Sequence, residues 1–194
     1  MSLFHSDAFL AFRSRDFSLL SVNQLCLILA IMIQEVVIAY SVYQLTQNPL
    51  SLGMIALIEL LPFICLSLIS GDWADRYNRQ KIVQWSFSCS TLIPLLFIVL
   101  FSQYQQQHIQ QNTLLCGIYS LIFCLGVLRG IYSPSFNSLR PFLTPESAYS
   151  NAATWTALIW QMGGILAPLC AGLLLSKLGL EKTLFIVFLL CCMG

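Results

Sequence analysis

The chain alternates between long apolar runs and short polar segments, which is typical of a protein that crosses a membrane several times. Five runs are long enough for a membrane-spanning helix, and they cover residues 17–43, 51–70, 82–101, 113–131 and 151–175. About 20 apolar residues in a helix span the roughly 30 Å hydrocarbon core of a bilayer. The pattern predicts an all-α membrane protein, with a short N-terminal segment (1–16) followed by a transmembrane helical region (17–194).

A sixth apolar run begins near residue 183 and reaches the last residue of the sequence, 194. A helix of about 12 residues is roughly 18 Å long and too short to cross the hydrocarbon core. We expect the sequence to end inside this sixth helix, as a fragment would.

Composition supports the membrane class and argues against others. Hydrophobic residues make up 58% of the chain and charged residues 9%, whereas roughly 25% of a soluble domain is charged. The net charge of +1 offers no basic patch for a nucleic-acid partner. The eight cysteines lie in apolar runs without metal-ligand spacing, and both histidines lie outside the spans. We therefore expect no metal, no cofactor and no enzymatic site.

The stretch GDWADRYNRQK, residues 71–81, holds five of the chain's 17 charged residues (9 Lys and Arg, 8 Asp and Glu). Lys and Arg are concentrated on this side of the predicted spans, and the other side carries only Lys177 and Lys182. Since basic residues are retained on the cytoplasmic side, we expect the N-terminus inside the cell and a cytoplasmic loop at 71–81. Retention alone does not account for the two aspartates of this stretch.

Polar side chains form a wedge on the first span. Asn23 and Gln34 lie three turns apart on one line of the helix, and Gln24 and Glu35 lie on the adjacent line. Because a polar wedge on an apolar helix avoids lipid, we expect these residues to line a cavity, with Glu35 as a candidate for proton coupling. Exposure of Glu35 at the membrane interface is the alternative.

Two more charged residues lie within the spans, Glu59 in the second and Arg129 in the fourth. A charge at membrane depth costs about 2.5–3.5 kcal/mol on insertion scales and usually has a partner. Glu59 is a second candidate for proton coupling, with a static hydrogen bond to a neighbouring helix as the alternative. Arg129 is expected either to pair with Glu59 or Glu35, or to extend to the inner interface.

The fifth span carries two ridges of small residues and a polar aromatic patch. The patch comprises Trp155, Trp160 and Gln161, candidates for contact with a flat or amphipathic substrate, although Trp155 also fits an interfacial aromatic belt. Small residues at four-residue spacing allow a second helix to approach closely. One ridge is Gly163, Ala167 and Ala171, and the other is Gly164, Pro168 and Gly172.

The charged stretch resembles the signature loop of the major facilitator superfamily, which lies between the second and third spans. The matching residues are Gly71, Ala74, Asp75, Arg76, Arg79 and Lys81. Further likeness in RSRDFSLLSVNQL, YQLTQNPLSLGMIALIELLP and IYSPSFNSLRPFLTPE points to the multidrug and siderophore exporters, including enterobactin exporters and macrolide-efflux proteins. Leu125 and Arg129 resemble the fourth-helix motif, and Gly163, Gly164, Ala167, Pro168 and Gly172 resemble the antiporter motif of the fifth helix.

The resemblance implies the N-terminal six-helix bundle of a two-half fold, with its sixth helix cut short, in the cytoplasmic membrane. It assigns the 71–81 loop to a conformational latch against the other half. We expect proton-coupled export of a small amphipathic compound, of the drug or siderophore class, by alternating access. That activity requires a C-terminal half or a dimer mate. The alternative is a truncated, non-transporting membrane fragment or interaction protein that needs a second half.

Overall fold

The computed structural model describes residues 15–76, 79–139 and 149–193, and these residues are almost entirely helical. The all-α class predicted from the apolar runs is confirmed. The described helices are α1 (Arg15–Thr46), α2 (Leu50–Arg76), α3 (Arg79–Gln105), α4 (Gln111–Leu139), α5 (Tyr149–Leu178) and α6 (Leu180–Met193).

Five of the described helices, α1 to α5, contain a segment long and apolar enough to cross a membrane. This is the number that the apolar runs predict. The described part of α6 has 14 residues. Large apolar side chains cover the outside of the bundle, with Leu68 80% exposed and Ile165 74% exposed. Such a surface is suited to lipid tails or to further helices, not to water.

The helices extend beyond the apolar runs into the polar segments. Because α2 continues to Arg76 and α3 begins at Arg79, most of the stretch predicted as a loop, 71–81, belongs to the two helices. Residues 71–80 still lie between the membrane-spanning segments Leu50–Ser70 and Lys81–Gln105, as the sequence predicts. Charged residues end an apolar run but not a helix, since the backbone hydrogen bonds continue where the side chains enter water.

The six helices pack as a chain of neighbours. The contacts run from α2 to α4, from α4 to α3, from α3 to α6, from α6 to α1 and from α1 to α5, and a smaller contact joins α1 to α2. Half of the apolar span of α1 is buried, compared with 6% of the span of α2. The helix α1 is therefore the central one, and α2 lies at the edge of the bundle.

The tightly packed core lies at one end of the bundle. Its members come from the parts of the helices nearest the α1–α2, α3–α4 and α5–α6 connections, namely Val37, Val42, Phe97, Leu114, Ile118, Ala171, Leu184 and Val187, all 0% exposed. The opposite end, where α2 approaches α3, lacks this dense packing among the described residues. Among the described residues, the interior is packed closely at one end of the bundle and less closely toward the other.

Two glycines bring α4 against α2. A Cβ on Gly126 would collide with the Glu59 carbonyl, and one on Gly130 would lie 2.9 Å from Leu66 Cβ. The Ser70 hydroxyl donates a buried hydrogen bond of 2.7 Å to the Gly130 carbonyl. Only glycine permits this close approach of the two backbones. The G-x-x-x-G sequence of α4 therefore sets the distance between α4, which carries Arg129, and Glu59 on α2.

Candidate functional site

A cavity of about 710 Å³ lies between the helices, away from the packed end. It has the size of a site for a drug-sized molecule, which typically occupies about 300–1,000 Å³. Its wall is mainly apolar and aromatic and comes from α1 to α5. The lining residues are Gln24, Leu27, Ile28, Ile31, Met32, Glu35, Ala56, Glu59, Leu60, Phe63, Phe87, Arg129, Tyr132, Ser133 and Trp160.

Three charged side chains in this wall form one ion cluster. Arg129 Nη2 lies 2.7 Å from Glu35 Oε1, and Arg129 Nη1 donates a hydrogen bond to Glu59 Oε1. The guanidinium of α4 thus joins the carboxylates of α1 and α2. The sequence left open which acid pairs with Arg129, and the structure pairs it with both.

The shape and the burial of the cluster explain why an arginine, and not a lysine, pairs with the two carboxylates. The planar guanidinium presents its donors as a fork, so two of its nitrogens reach two acceptors at once, which a lysine does less well. The side chain of Glu59 is 16% exposed, that of Arg129 26%, and that of Glu35 44%. Pairing offsets the cost of holding these charges in an apolar wall.

Tyr132 lies one helical turn after Arg129 and supports it from α4. The Tyr132 hydroxyl adjoins the Arg129 guanidinium. The Tyr132 ring packs against Phe87 of α3, with centroids 4.8 Å apart and an interplanar angle of 35°. This contact restricts the position of Tyr132 and extends the site to a fourth helix.

The polar residues of α1 divide between the cavity and the interior. Gln24 and Glu35 line the cavity, whereas Gln34 is buried at 6% exposure and is not among the lining residues, because neighbouring residues project about 100° apart around a helix. Asn23 Oδ1 and Gln24 Nε2 are buried and lack a hydrogen-bond partner among the described residues.

On α5 the same helical geometry separates two neighbouring residues. Trp160 lines the cavity, whereas Gln161 is exposed and is not among the lining residues. The site therefore includes only one member of the patch formed by Trp155, Trp160 and Gln161.

The two ridges of small residues on α5 lie about 100° apart around the helix and differ in their surroundings. Gly163 is buried, and a Cβ there would collide with Ile28 of α1, while Ala167 and Ala171 are 0% exposed. Gly164 and Gly172 have no atom within 4 Å of a Cβ position, and Pro168 between them is exposed. One ridge packs α5 onto α1, and the other is open.

The arrangement holds two carboxylates and one guanidinium, a net charge of −1 when all three are ionised. Among the described residues, no group of three or more His, Cys, Asp and Glu side chains is placed to hold a metal ion. The site is thus suited to binding a small molecule or a proton within an apolar wall.

A sequence profile of the Major Facilitator Superfamily matches residues 20–194, nearly the whole of this helical bundle. The chain belongs to the major facilitator superfamily. It is a multi-pass membrane protein by this membership and by its five apolar helices.

The curated relatives that the chain matches are distant in sequence and are longer than the chain. It is 26% identical to the uncharacterized MFS-type transporter YkuC of Bacillus subtilis (strain 168), over 68% of this chain and 29% of the relative. It is 24% identical to the Staphyloferrin A transporter of Staphylococcus aureus (strain NCTC 8325 / PS 47), over 74% of this chain and 36% of the relative. It is 23% identical to the uncharacterized MFS-type transporter YfiS of Bacillus subtilis (strain 168), over 77% of this chain and 33% of the relative.

The chain therefore spans about a third of the length of the curated relatives it matches. No solved structure matches it. Of the signature-loop residues, Gly71, Asp75 and Arg76 belong to the last turns of α2, and Arg79 and Lys81 to the first turn of α3. The side chains of the first four lie outside the described residues, and Lys81 is exposed.

The sequence does not single out several residues that line the cavity. Phe63, Phe87, Tyr132 and Ser133 line the cavity but are ordinary members of apolar or mixed runs in the sequence. Tyr132 carries a usable signal, because a residue three positions after Arg129 lies on the same face of α4. The others become recognisable only when the helices are placed together.

The ion cluster predicts the stability of variants. Replacing Arg129 with Met leaves two carboxylates in the wall without their common partner, and we expect a loss of about 3 kcal/mol in the free energy of unfolding in micelles. Removing both charges as well, by Glu35→Gln and Glu59→Gln, is expected to restore most of this loss. The control Lys177→Met changes an exposed residue outside the cavity, with an expected effect within about 0.5 kcal/mol. A triple variant no more stable than Arg129→Met contradicts the cluster.

Proposed function

We propose that this chain forms the N-terminal helical half of a secondary active transporter that exports a small amphipathic compound in exchange for protons. The observation that carries the proposal is the cluster of Glu35, Arg129 and Glu59 in the wall of a drug-sized, mainly apolar cavity. An apolar wall suits the body of an amphipathic compound. The ionisable groups within it give the substrate and the proton a common site.

Glu59 is the proposed proton carrier. It is the less exposed of the two carboxylates and lies on α2, next to the point where Gly126 presses α4 against its backbone. A proton gained or lost by Glu59 changes its pairing with Arg129, and through Arg129 the pairing of Glu35. Movement between α2, α4 and α1 is thereby linked to protonation, which is the requirement for coupled transport.

The proposed orientation places the N-terminus and the α2–α3 connection in the cytoplasm, with the chain in the cytoplasmic membrane. The distribution of Lys and Arg supports it. The cavity lies away from the packed α1–α2, α3–α4 and α5–α6 end, so in this orientation it is directed toward the cell interior. An inward-directed cavity is the state in which an exporter receives its substrate.

The proposal includes a second helical half, either a C-terminal segment or a dimer mate. The length of the relatives supports it, as do the sparse burial of α2 and the open ridge formed by Gly164, Pro168 and Gly172. The antiporter-like pattern of that ridge favours export. The latch role of Gly71, Asp75, Arg76, Arg79 and Lys81 is likewise proposed from the family resemblance, and Asp75→Asn is then expected to stop turnover.

A second candidate function is a non-transporting fragment or membrane interaction protein. The chain's coverage of only about a third of its relatives favours it, since alternating access needs two halves that move against each other. The two candidates differ in one observable property, which is proton movement in response to a compound by the 194-residue chain.

Cysteine labelling tests the orientation. In a background with the eight native cysteines replaced by alanine, Asn78→Cys is expected to resist an impermeant maleimide in intact cells and to react after permeabilisation. Gln106→Cys, in the α3–α4 connection, is the matched control and is expected to react in intact cells. The reverse pattern would overturn the orientation.

Proton release tests the transport proposal. The purified chain is reconstituted in liposomes with an imposed pH gradient and an internal pH-sensitive dye, and a panel of cationic, neutral and anionic amphipathic compounds is added. We expect at least one compound to drive proton movement. Glu59→Gln is expected to reduce the initial rate at least tenfold, because an amide cannot bind and release a proton as a carboxyl group does.

The control for this assay is Glu181→Gln, which removes a carboxylate at the start of α6, outside the cavity. It is expected to leave the rate unchanged. Full activity in Glu59→Gln would remove Glu59 from the proton pathway. If no compound moves protons, the chain does not transport as a dimer, and the non-transporting candidate is the better description of the 194-residue chain by itself.

A further inference from the structure

We propose that the cavity binds a lipophilic organic monocation, with the Glu35 carboxylate as its counter-ion. This inference rests on the proposed function in one respect, that the cavity is the substrate site. It adds the charge class of the substrate and the residue that selects it.

The net charge of the residues that line the cavity indicates that the ligand is a cation. Of the residues that the structure describes, the charged ones that line the cavity are Glu35, Glu59 and Arg129, and with all three ionised they carry a net charge of −1. One guanidinium cannot neutralise two carboxylates in an apolar environment. A bound monocation completes the neutralisation, and so does a single proton, so a cation and a proton compete for the same negative charge.

The same geometry argues against an anionic substrate. Arg129 is the cation in the wall, and its Nη1 and Nη2 atoms are both engaged with carboxylates. An anion would have to displace one of them and leave a carboxylate unpaired beside a second negative charge. Such an arrangement is costly in a wall of low dielectric.

Glu35 is the better placed of the two carboxylates to meet a cation. Its side chain is 44% exposed, compared with 16% for Glu59, and it lines the cavity. Its ion pair with Arg129 joins one carboxylate oxygen, Oε1, to one guanidinium nitrogen, Nη2. Glu59 is enclosed by α2, by α4 and by the shared guanidinium.

The rest of the wall indicates an organic cation and not a metal ion. Hard divalent cations need about six oxygen ligands, and the wall supplies two carboxylates that already share Arg129. Four aromatic residues, Phe63, Phe87, Tyr132 and Trp160, line the same cavity. Aromatic faces attract organic cations and pack against their apolar substituents.

A pair of probes of equal shape and opposite charge tests the inference directly. Tetraphenylphosphonium and tetraphenylborate are measured for saturable binding to the chain in lipid nanodiscs, with protein-free nanodiscs subtracted. We expect tetraphenylphosphonium to bind at least tenfold more tightly than tetraphenylborate, a difference of about 1.4 kcal/mol. Equal binding of the two ions, or no saturable binding of the cation, overturns the inference without recourse to any variant.

Variants assign the selectivity to its residue. Glu35→Gln is expected to weaken tetraphenylphosphonium binding at least tenfold, and Glu181→Gln to leave it unchanged. Trp160→Ala is expected to weaken it severalfold, while Trp85→Ala, which changes a tryptophan that is 74% exposed and outside the cavity, is the matched control. Unchanged binding in Glu35→Gln removes Glu35 as the counter-ion.

The outcomes separate this inference from the proposed transport. If neutral or anionic compounds drive proton movement and tetraphenylphosphonium does not bind, the substrate class is wrong and transport stands. If the cation binds through Glu35 and no compound moves protons, the binding site is correct and the transport proposal fails.

Discussion

Charged side chains in an apolar wall need partners of opposite charge, and this requirement organises the site. Arg129 meets it by reaching Glu35 on α1 and Glu59 on α2 simultaneously. Since each of the three lies on a different helix, the pairing determines how α1, α2 and α4 are placed. The glycines of α4 make it possible, because any larger residue at Gly126 would push the backbone of Glu59 away. Packing and ion pairing thus depend on the same contact between α2 and α4.

The difference between the two ends of the bundle gives this contact a functional setting. At the end with the α1–α2, α3–α4 and α5–α6 connections, fully buried side chains such as Phe97 and Leu184 fill the interior. Toward the other end the interior is a cavity with the ion cluster in its wall. The described part of the bundle thus combines a densely packed region with a cavity that holds the ion cluster. The superfamily membership of the chain is consistent with such a design.

Much of the fold follows from the sequence, because lipid imposes a simple rule on helix length and polarity. The apolar runs predict five spans, and the charged residues within them mark the site. The sequence does not show which faces meet. Gln34 and Glu35 are both polar neighbours on α1, yet of the two Glu35 lines the cavity, and the aromatic Phe87 becomes part of the site only when α3 lies beside α4. The apolar pattern also does not show where a helix ends, because a helix such as α2 continues into charged sequence beyond its apolar run.

The central claim is that Arg129 bridges two carboxylates within the membrane, and solid-state NMR measures this most directly. The chain is labelled with ¹⁵N in the arginine guanidinium groups and ¹³C at the glutamate carboxyl carbons, and is placed in lipid bilayers. The account predicts short-range dipolar coupling from guanidinium nitrogen to two carboxyl carbons, of which one disappears in Glu35→Gln and the other in Glu59→Gln. An Arg129 guanidinium coupled to lipid ³¹P and to neither carboxyl carbon would contradict it.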